Sequence, residues 1–198
     1  MEAREPDFTY GNYTYADYLT WTMDDVVELI KGRVFKMNAP KRIHQDVAGI
    51  LFYKIFNYLQ GKKCRIYSAP FDVRLPQNPT AIESKRNEAI YTVVQPDICV
   101  ICDLSKLDEA GCIGAPDLII EILSKGNNKK ELQNKYEVYE ESGVLEYWII
   151  WPDEQTLLIY TLTDGKYVPS RVYTNGDKIS TPILPGFELD LEEVFKEL

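Results

Sequence analysis

Three ionisable residues in this sequence have the types that metal-assisted phosphodiester hydrolysis uses. Asp97 follows a proline at the start of the apolar segment "ICVI", Glu121 interrupts the apolar segment "LIIEIL", and Lys135 lies in the polar segment after it. Two carboxylates on adjacent strands can bind a hard divalent cation through oxygen, and a neighbouring lysine can orient a water molecule or stabilise developing charge. A structural interpretation is equally open: Glu121 and Lys135 form a buried ion pair, and Asp97 only starts a strand.

The segment around Glu121 has the pattern of a strand that is covered on both faces. One face carries Leu118, Ile120 and Ile122, and the other carries Asp117, Ile119, Glu121 and Leu123. Because both faces are largely apolar, the strand is predicted to be central in its sheet. An unpaired carboxylate there would be costly or would stay protonated through a raised pKa, so a positive group is expected opposite Glu121.

The helix predicted after this strand offers such a group. At about 100° per residue, the inward stripe of that helix is defined by Leu132, Tyr136 and Tyr139. Lys135 falls on the same side, whereas Lys130 points away as a surface lysine would. Lys135 is therefore predicted to face the sheet and Glu121.

The elements that would position these residues alternate between helix and strand. In the first part of the chain, hydrophobic periodicity and turn residues predict a short helix at 22–29 with Thr22 as its cap, a strand from Gly32, and a long amphipathic helix at 43–60 ended by Gly61. Extended segments in "CRIYSA" and "FDVRL" follow, then a polar loop at 76–89 and strands at 97–102 and 118–123. The last part is predicted to form a helix at 129–141 closed by Gly143, a strand at 146–151, and a C-terminal hairpin region in 157–162 and "KYVPSRVY". This order predicts a mixed α/β sandwich. We expect one domain over 1–198, with an N-terminal extension of about 20 residues.

Composition narrows the class of protein. The chain has 198 residues, 45% of them hydrophobic, and a net charge of −9, which disfavours indiscriminate binding to nucleic acid or anionic membranes. The N-terminus has no secretory signal, and no run approaches the ~20 apolar residues of a membrane span, so a cytoplasmic protein is expected. Four cysteines are too few for a secreted disulfide framework, and reduced thiols are predicted. Cys99 and Cys102 face opposite sides of a strand and are not expected to share a metal.

Two local clusters of positive charge are candidates for contact with a phosphate backbone. The first consists of Lys31, Arg33, Lys36, Lys41 and Arg42, with no acidic residue between Lys31 and Gln45. The second, Lys125, Lys129 and Lys130, lies beside the proposed site. Clusters of this kind bind nucleic acid, although charged loops are also common solvated surfaces.

Several segments together resemble the Uma family of restriction-endonuclease-like proteins in the PD-(D/E)XK nuclease superfamily. They are "QPDICVI", "GAPDLIIEILS", "KYEVYEESGVLEYWII" and "LPGFELDLEEVF", and the resemblance runs from about Thr22 to the C-terminus. It implies a restriction-endonuclease-like α+β fold, a central mixed sheet flanked by helices. It also implies a nuclease site with Asp97 and Glu121 as ligands of Mg²⁺, for which Mn²⁺ can substitute, a nucleic-acid substrate, expected to be DNA, and by analogy a homodimer.

The family's usual E-x-K motif is incomplete here, because Leu123 stands where the lysine would be. The resemblance implies that the lysine has moved to the next helix, in a pattern that Ser124, Glu131 and Lys135 fit. Glu131 replaces the more common aspartate of that pattern. Lys125 and Gly126 replace its proline and serine.

Two further residues match positions of the same family. His44 could contact phosphate or the metal site, or could be a structural histidine near a helix start. Glu28 could add a carboxylate to the site, or could be a surface acid on a helix. We therefore expect a metal-dependent nuclease with Asp97, Glu121 and Lys135 as catalytic residues, supported by Glu28, His44, Ser124, Lys129 and Lys130. The alternative is an inactive nucleic-acid- or protein-binding module on the same fold.

Overall fold

The computed structural model describes residues 5–77, 86–124 and 129–196, apart from the side chains of 129–131. The helices are α1 (Tyr15–Tyr18), α2 (Arg42–Leu59), α3 (Lys129–Ser142) and α4 (Leu191–Phe195), with short 3-10 turns at Asn87–Ala89 and Leu104–Lys106. The strands are β1 (Val27–Ile30), β2 (Arg33–Lys36), β3 (Arg65–Ser68), β4 (Val73–Arg74), β5 (Val93–Val94), β6 (Ile98–Ile101), β7 (Leu107–Asp108), β8 (Gly111–Ile113), β9 (Leu118–Ile122), β10 (Glu146–Trp151), β11 (Thr156–Thr163), β12 (Lys166–Pro169), β13 (Tyr173–Thr174), β14 (Lys178–Ser180) and β15 (Glu188–Asp190).

The strands form mixed sheets. The largest has the order β12-β11-β10-β9-β6-β3, with β13 also paired to β11, and the second has the order β2-β1-β5-β4-β8-β7. A separate pair joins β14 and β15. Within the largest sheet, β9 is parallel to β10 and antiparallel to β6, so the predicted central mixed sheet is confirmed.

Helices cover β9 on both faces. Leu118, Ile120 and Ile122 pack in one hydrophobic cluster with the inward residues of α2, while Ile119 and Leu123 pack in another with α3. This matches the two apolar faces expected from the sequence. Glu121 belongs to the face that α3 covers, where it pairs with Lys135.

The predicted helix at 22–29 is wrong. Residues Val27–Ile30 form β1, which pairs antiparallel with β2. Lys31 and Gly32 connect the two strands, and both have positive φ, 50° and 78°, as in the two-residue turns that join twisted strands. Pairing with β2 and β5 buries every residue of β1, and this burial outweighs the local preference for a helix.

Other elements lie where periodicity predicted them, within a residue or two at their ends. These are α2, α3, β2, β3, β6, β9, β10 and β11; the predicted hairpin partner of β11 is present as β12 but ends at Pro169, four residues before the end of the predicted segment. Residues 78–85 of the predicted polar loop lie outside the described residues. Within the described ranges, no helix is long and apolar enough to cross a membrane.

The prediction of reduced thiols is wrong for one pair, since Cys64 and Cys102 form a disulfide. They meet because β3 and β6 are antiparallel neighbours with Arg65 opposite Ile101, which places the preceding and following residues side by side. Cys99 and Cys112 are buried and free. Cys99 packs on the α3 side and Cys102 on the α2 side, as strand alternation predicted.

Candidate active site

Lys135 occupies the centre of a buried ionic cluster between the two sheets. It projects inward from α3 and is only 5% exposed, as the helical periodicity predicted. Its Nζ lies 3.0 Å from Oε1 of Glu121 on β9 and 3.0 Å from Oε1 of Glu28 on β1. Glu28 is 1% exposed, so its interpretation as a surface helix acid is wrong. One lysine thus ties a strand of each large sheet to α3.

Glu121 is held by two donors on the same helix. Tyr139 donates its hydroxyl to Oε1 at 2.7 Å, one helical turn after Lys135. Burial raises the pKa of Glu121 to about 7: burial and the charges of Asp97 and Glu28 outweigh the opposing effects of the Lys135 ammonium and the Tyr139 hydrogen bond. This carboxyl therefore ionises near neutral pH. Sequence reasoning placed Tyr139 on the inward stripe but missed its contact with Glu121.

Lys135 is a permanent cation in this setting. Burial by itself would lower its pKa, but the charges of Glu121 and then Glu28, together with hydrogen bonds to both, raise it well above the ordinary value. The ammonium therefore keeps its proton at neutral pH. It can orient a water molecule or stabilise negative charge, but it cannot accept a proton as a general base.

Asp97 lies immediately before β6 and is fixed beside Glu121. Its Oδ2 accepts a hydrogen bond from the backbone N–H of Ile122 at 2.7 Å, the residue next to Glu121 on the neighbouring strand. Its Oδ1 lies 3.0 Å from Nε2 of His44. The antiparallel pairing of β6 and β9 thus brings the two predicted carboxylates to the same place in the sheet.

His44 reaches Asp97 from the first turn of α2, so the structure adds it to the cluster. Its Nδ1 is buried and has no hydrogen-bond partner among the described residues. A neutral imidazole that donates through Nε2 leaves Nδ1 as an acceptor. The ring of His44 thus has one nitrogen paired with Asp97 and one without a partner among the described residues.

Gln95 is a member of the cluster that sequence reasoning missed. Its backbone N–H donates to Oε1 of Glu28 at 2.8 Å, and its Nε2 donates to Oδ1 of Asp72 at 2.9 Å. The only sequence signal was its place two residues before Asp97. The other oxygen of Glu28, Oε2, is buried without a partner in the part of the chain that the structure describes.

The donor chemistry of the cluster suits a hard divalent cation. Lys135 contacts the carboxylates of Glu28 and Glu121, and the charge of Asp97 acts on Glu121, so an excess of negative charge remains when all three carboxyls are ionised. The described residues contain no group of three or more His, Cys, Asp or Glu side chains that could hold a metal ion. Mg²⁺ does not require such a cage, because it keeps several waters and binds through one or two carboxylates plus substrate phosphate.

The remaining supporting residues are less informative. Ser124, two residues after the end of β9, is partly buried. Lys125 and Gly126, and the side chains of Lys129, Lys130 and Glu131, lie outside the described residues. In the first basic cluster, Lys31 pairs with Glu141, Lys36 with Asp25 and Arg42 with Asp46, which reduces the positive charge that this cluster can offer to a phosphate backbone.

A protein-family model described as "Uma2: Putative restriction endonuclease" matches residues 15–192. The chain belongs to the Uma2 family. A crystal structure described as "a putative nuclease belonging to DUF820 from Anabaena variabilis ATCC 29413" has a TM-score of 0.72 at 18% identity, covering 93% of this chain and 98% of that one. Curated proteins give no match.

Membership of the Uma2 family and the structural similarity confirm the predicted restriction-endonuclease-like α+β fold. In this Uma2 chain, Leu123, where the resemblance led us to expect a lysine, packs in the hydrophobic cluster that includes Tyr139. The positive charge beside Glu121 comes instead from α3, through Lys135. A buried cation therefore reaches the strand carboxylate from a different element.

Proposed function

We propose that this Uma2 protein is a divalent-metal-dependent nuclease that hydrolyses phosphodiester bonds in DNA. One observation carries the proposal: Lys135 is buried between Glu121 and Glu28, and Asp97 is fixed at the start of β6, the strand beside that of Glu121. Family membership supports a nuclease-like fold, and these residues are the ones that could do the chemistry on it.

Asp97 and Glu121 would hold Mg²⁺ or Mn²⁺, which would act as a Lewis acid on the phosphate and lower the pKa of a bound water. The chain's own residues hold these ligands in place. His44 and the N–H of Ile122 orient the Asp97 carboxylate, and Tyr139 orients that of Glu121. Lys135 contributes a fixed positive charge to a phosphate that becomes more negative as it is attacked.

The ionisation of Glu121 gives the proposal a pH dependence. With a pKa of about 7, the carboxyl is largely protonated in mildly acidic solution and becomes an anionic ligand above neutrality. Metal binding requires the deprotonated form. Activity should therefore rise through about pH 7.

A non-catalytic binding module is favoured by a different observation. Both oxygens of Asp97 and the ammonium of Lys135 already have partners within the protein. A purely structural network would show the same contacts, and removing one partner from such a network costs about 3–5 kcal/mol. In that case the residues join the sheets and perform no chemistry.

Cleavage of plasmid and single-stranded DNA by the purified protein with Mg²⁺ separates the two functions. Glu121→Gln keeps the shape of the side chain but removes its negative charge, and should reduce cleavage by at least about 100-fold. Glu146→Gln is the matched control, because Glu146 is another buried carboxyl that contacts Trp148 and Thr181 instead of this cluster. Equal cleavage by the two variants, or none by the unaltered protein, contradicts the nuclease proposal.

A further inference from the structure

A groove along the outer face of α2 leads to the candidate active site. Its volume is about 420 Å³. Side chains from two adjacent rows along α2 form one wall, and residues near β3 and β6 form the other. The lining residues are His44, Gln45, Ala48, Gly49, Phe52, Tyr53, Phe56, Ser68, Ala69 and Asp97. His44 and Asp97 thus belong both to the groove and to the ionic cluster.

The far part of the groove presents aromatic rings to solvent. Tyr53 is 66% exposed and Phe56 46%. Phe52 and Phe56 stack with their ring centroids 6.0 Å apart and their planes 12° apart. The outer face of a surface helix is normally polar, and a cluster of exposed apolar side chains there marks a binding surface.

Gly49 lies in the middle of this aromatic face, inside an eighteen-residue helix. Glycine in a helix interior lowers stability relative to alanine. A Cβ built at this position would meet none of the described atoms within 4 Å, so packing within the chain does not require glycine. The missing side chain leaves the backbone open to close approach by a ligand.

We propose that this groove binds unpaired bases that flank the cleaved phosphate of a nucleic-acid strand. The choice of ligand rests on the proposed nuclease function, because a phosphate at Asp97 necessarily brings its neighbouring nucleosides with it. Phe52 follows His44 by eight residues, or about 12 Å along the helix axis. A strand that follows α2 from His44 therefore passes the exposed rings.

Ring chemistry and charge both favour bases over an apolar peptide as the occupant. Every base has a π-face, so aromatic rings bind single strands with little dependence on sequence. The first turn of α2, where His44 lies, has no acidic residue, and Lys41 directly precedes it, whereas Arg42 is already paired with Asp46. The positive end of the helix dipole is therefore beside His44, where the proposed phosphate would lie.

Binding measured in EDTA, without cleavage, tests the groove separately from catalysis. The probes are a fluorescent oligothymidylate and an abasic oligomer of the same length and charge. Tyr53→Ala and Phe56→Ala should each weaken binding of the oligothymidylate by about 5- to 150-fold, the equivalent of the ~1–3 kcal/mol of base stacking, and should leave binding of the abasic oligomer unchanged. Tyr10→Ala is the matched control, because Tyr10 is similarly exposed but lies outside the groove.

A second variant distinguishes ligand contact from loss of folding. Gly49→Leu should raise the Tm, because leucine favours the helix, and should weaken oligothymidylate binding by filling the open space. Tyr53→Phe keeps the ring and should bind as the unaltered protein does. Opposite changes in stability and affinity support the groove as a base-binding surface.

Three results would overturn the inference. They are equal affinity for both oligomers in the unaltered protein, unchanged oligothymidylate binding in the aromatic variants, and a loss of dimer mass in those variants with binding unchanged, which would assign the groove to contact between copies. Cleavage without base-dependent binding would reject the groove and leave the nuclease proposal standing. Base-dependent binding without cleavage would support the groove as a base-binding surface and reject the nuclease proposal.

Discussion

The ammonium of Lys135 lies 3.0 Å from a carboxylate oxygen of Glu121, although one residue is on helix α3 and the other on strand β9. The same ammonium lies 3.0 Å from Glu28 on β1 of the other large sheet. Both carboxylates and the lysine are buried. The stability of this junction and its chemistry therefore depend on the same three side chains, and they can be separated by experiment.

Replacing Lys135 with methionine should destabilise the protein by about 3–5 kcal/mol at pH 8, because two buried carboxylates lose their cation. The loss should be smaller at pH 5, where Glu121 is protonated in the folded protein. Urea unfolding at the two pH values measures both quantities. Lys31→Met, which removes an exposed ion pair with Glu141, should cost less than about 1 kcal/mol. A similar small effect for both variants would show that the buried pair has no special role.

Glu121→Gln should change how stability depends on pH. The folded pKa of about 7 is above the ordinary value of 4.5, so the folded state binds this proton more tightly than the unfolded state. The resulting stabilisation is complete below about pH 4.5 and is lost as pH rises to about 7, by about 3 kcal/mol in total. The variant lacks this loss, so its stability relative to the unaltered protein should increase between pH 5 and pH 8. Parallel stability curves for the two proteins would contradict the raised pKa.

Divalent metal should stabilise the protein through Asp97 and Glu121. At a Mg²⁺ concentration 100-fold above its Kd, the gain is about 2.7 kcal/mol, and each kcal/mol raises the Tm of a domain of this size by about 2–4 °C. The shift should be larger at pH 8 than at pH 6, because the metal competes with the proton on Glu121. Thermal melts of Asp97→Asn should show no shift, while Glu146→Gln should keep it. A shift that survives Asp97→Asn would place the metal elsewhere.

Tyr139→Phe should cost about 1–2 kcal/mol, because it removes the hydroxyl that donates to Glu121 and keeps the ring. That hydrogen bond lowers the pKa of Glu121, so its loss should move the pH midpoint of metal binding upward. Tyr147→Phe is a close control, since the Tyr147 hydroxyl is buried without a partner among the described residues. Its removal should be neutral or stabilising. If both variants lose the same stability, the hydrogen bond to Glu121 contributes nothing specific.

The sequence by itself determined much of the local structure. Helix α2, strands β9 and β10 and helix α3 follow from periodicity over a few residues, because burial selects one helix stripe or both strand faces. The same reasoning turned Lys135 inward, since a helical residue's direction depends only on its place in the helix. Strand alternation also separated Cys99 from Cys102 correctly.

Only the tertiary structure decided which distant residues share the site. The location of Glu28 could not be predicted, because the residues around it have a helical pattern, whereas the strand that they form depends on pairing with β2 and β5. His44 reaches Asp97, and Cys64 reaches Cys102, through the packing of α2 and the register of β3 with β6. Hydrophobic periodicity carries no information about register between separate segments. The residues that form the ionic cluster therefore depend on the register of the strands and on the packing of the helices against the sheets.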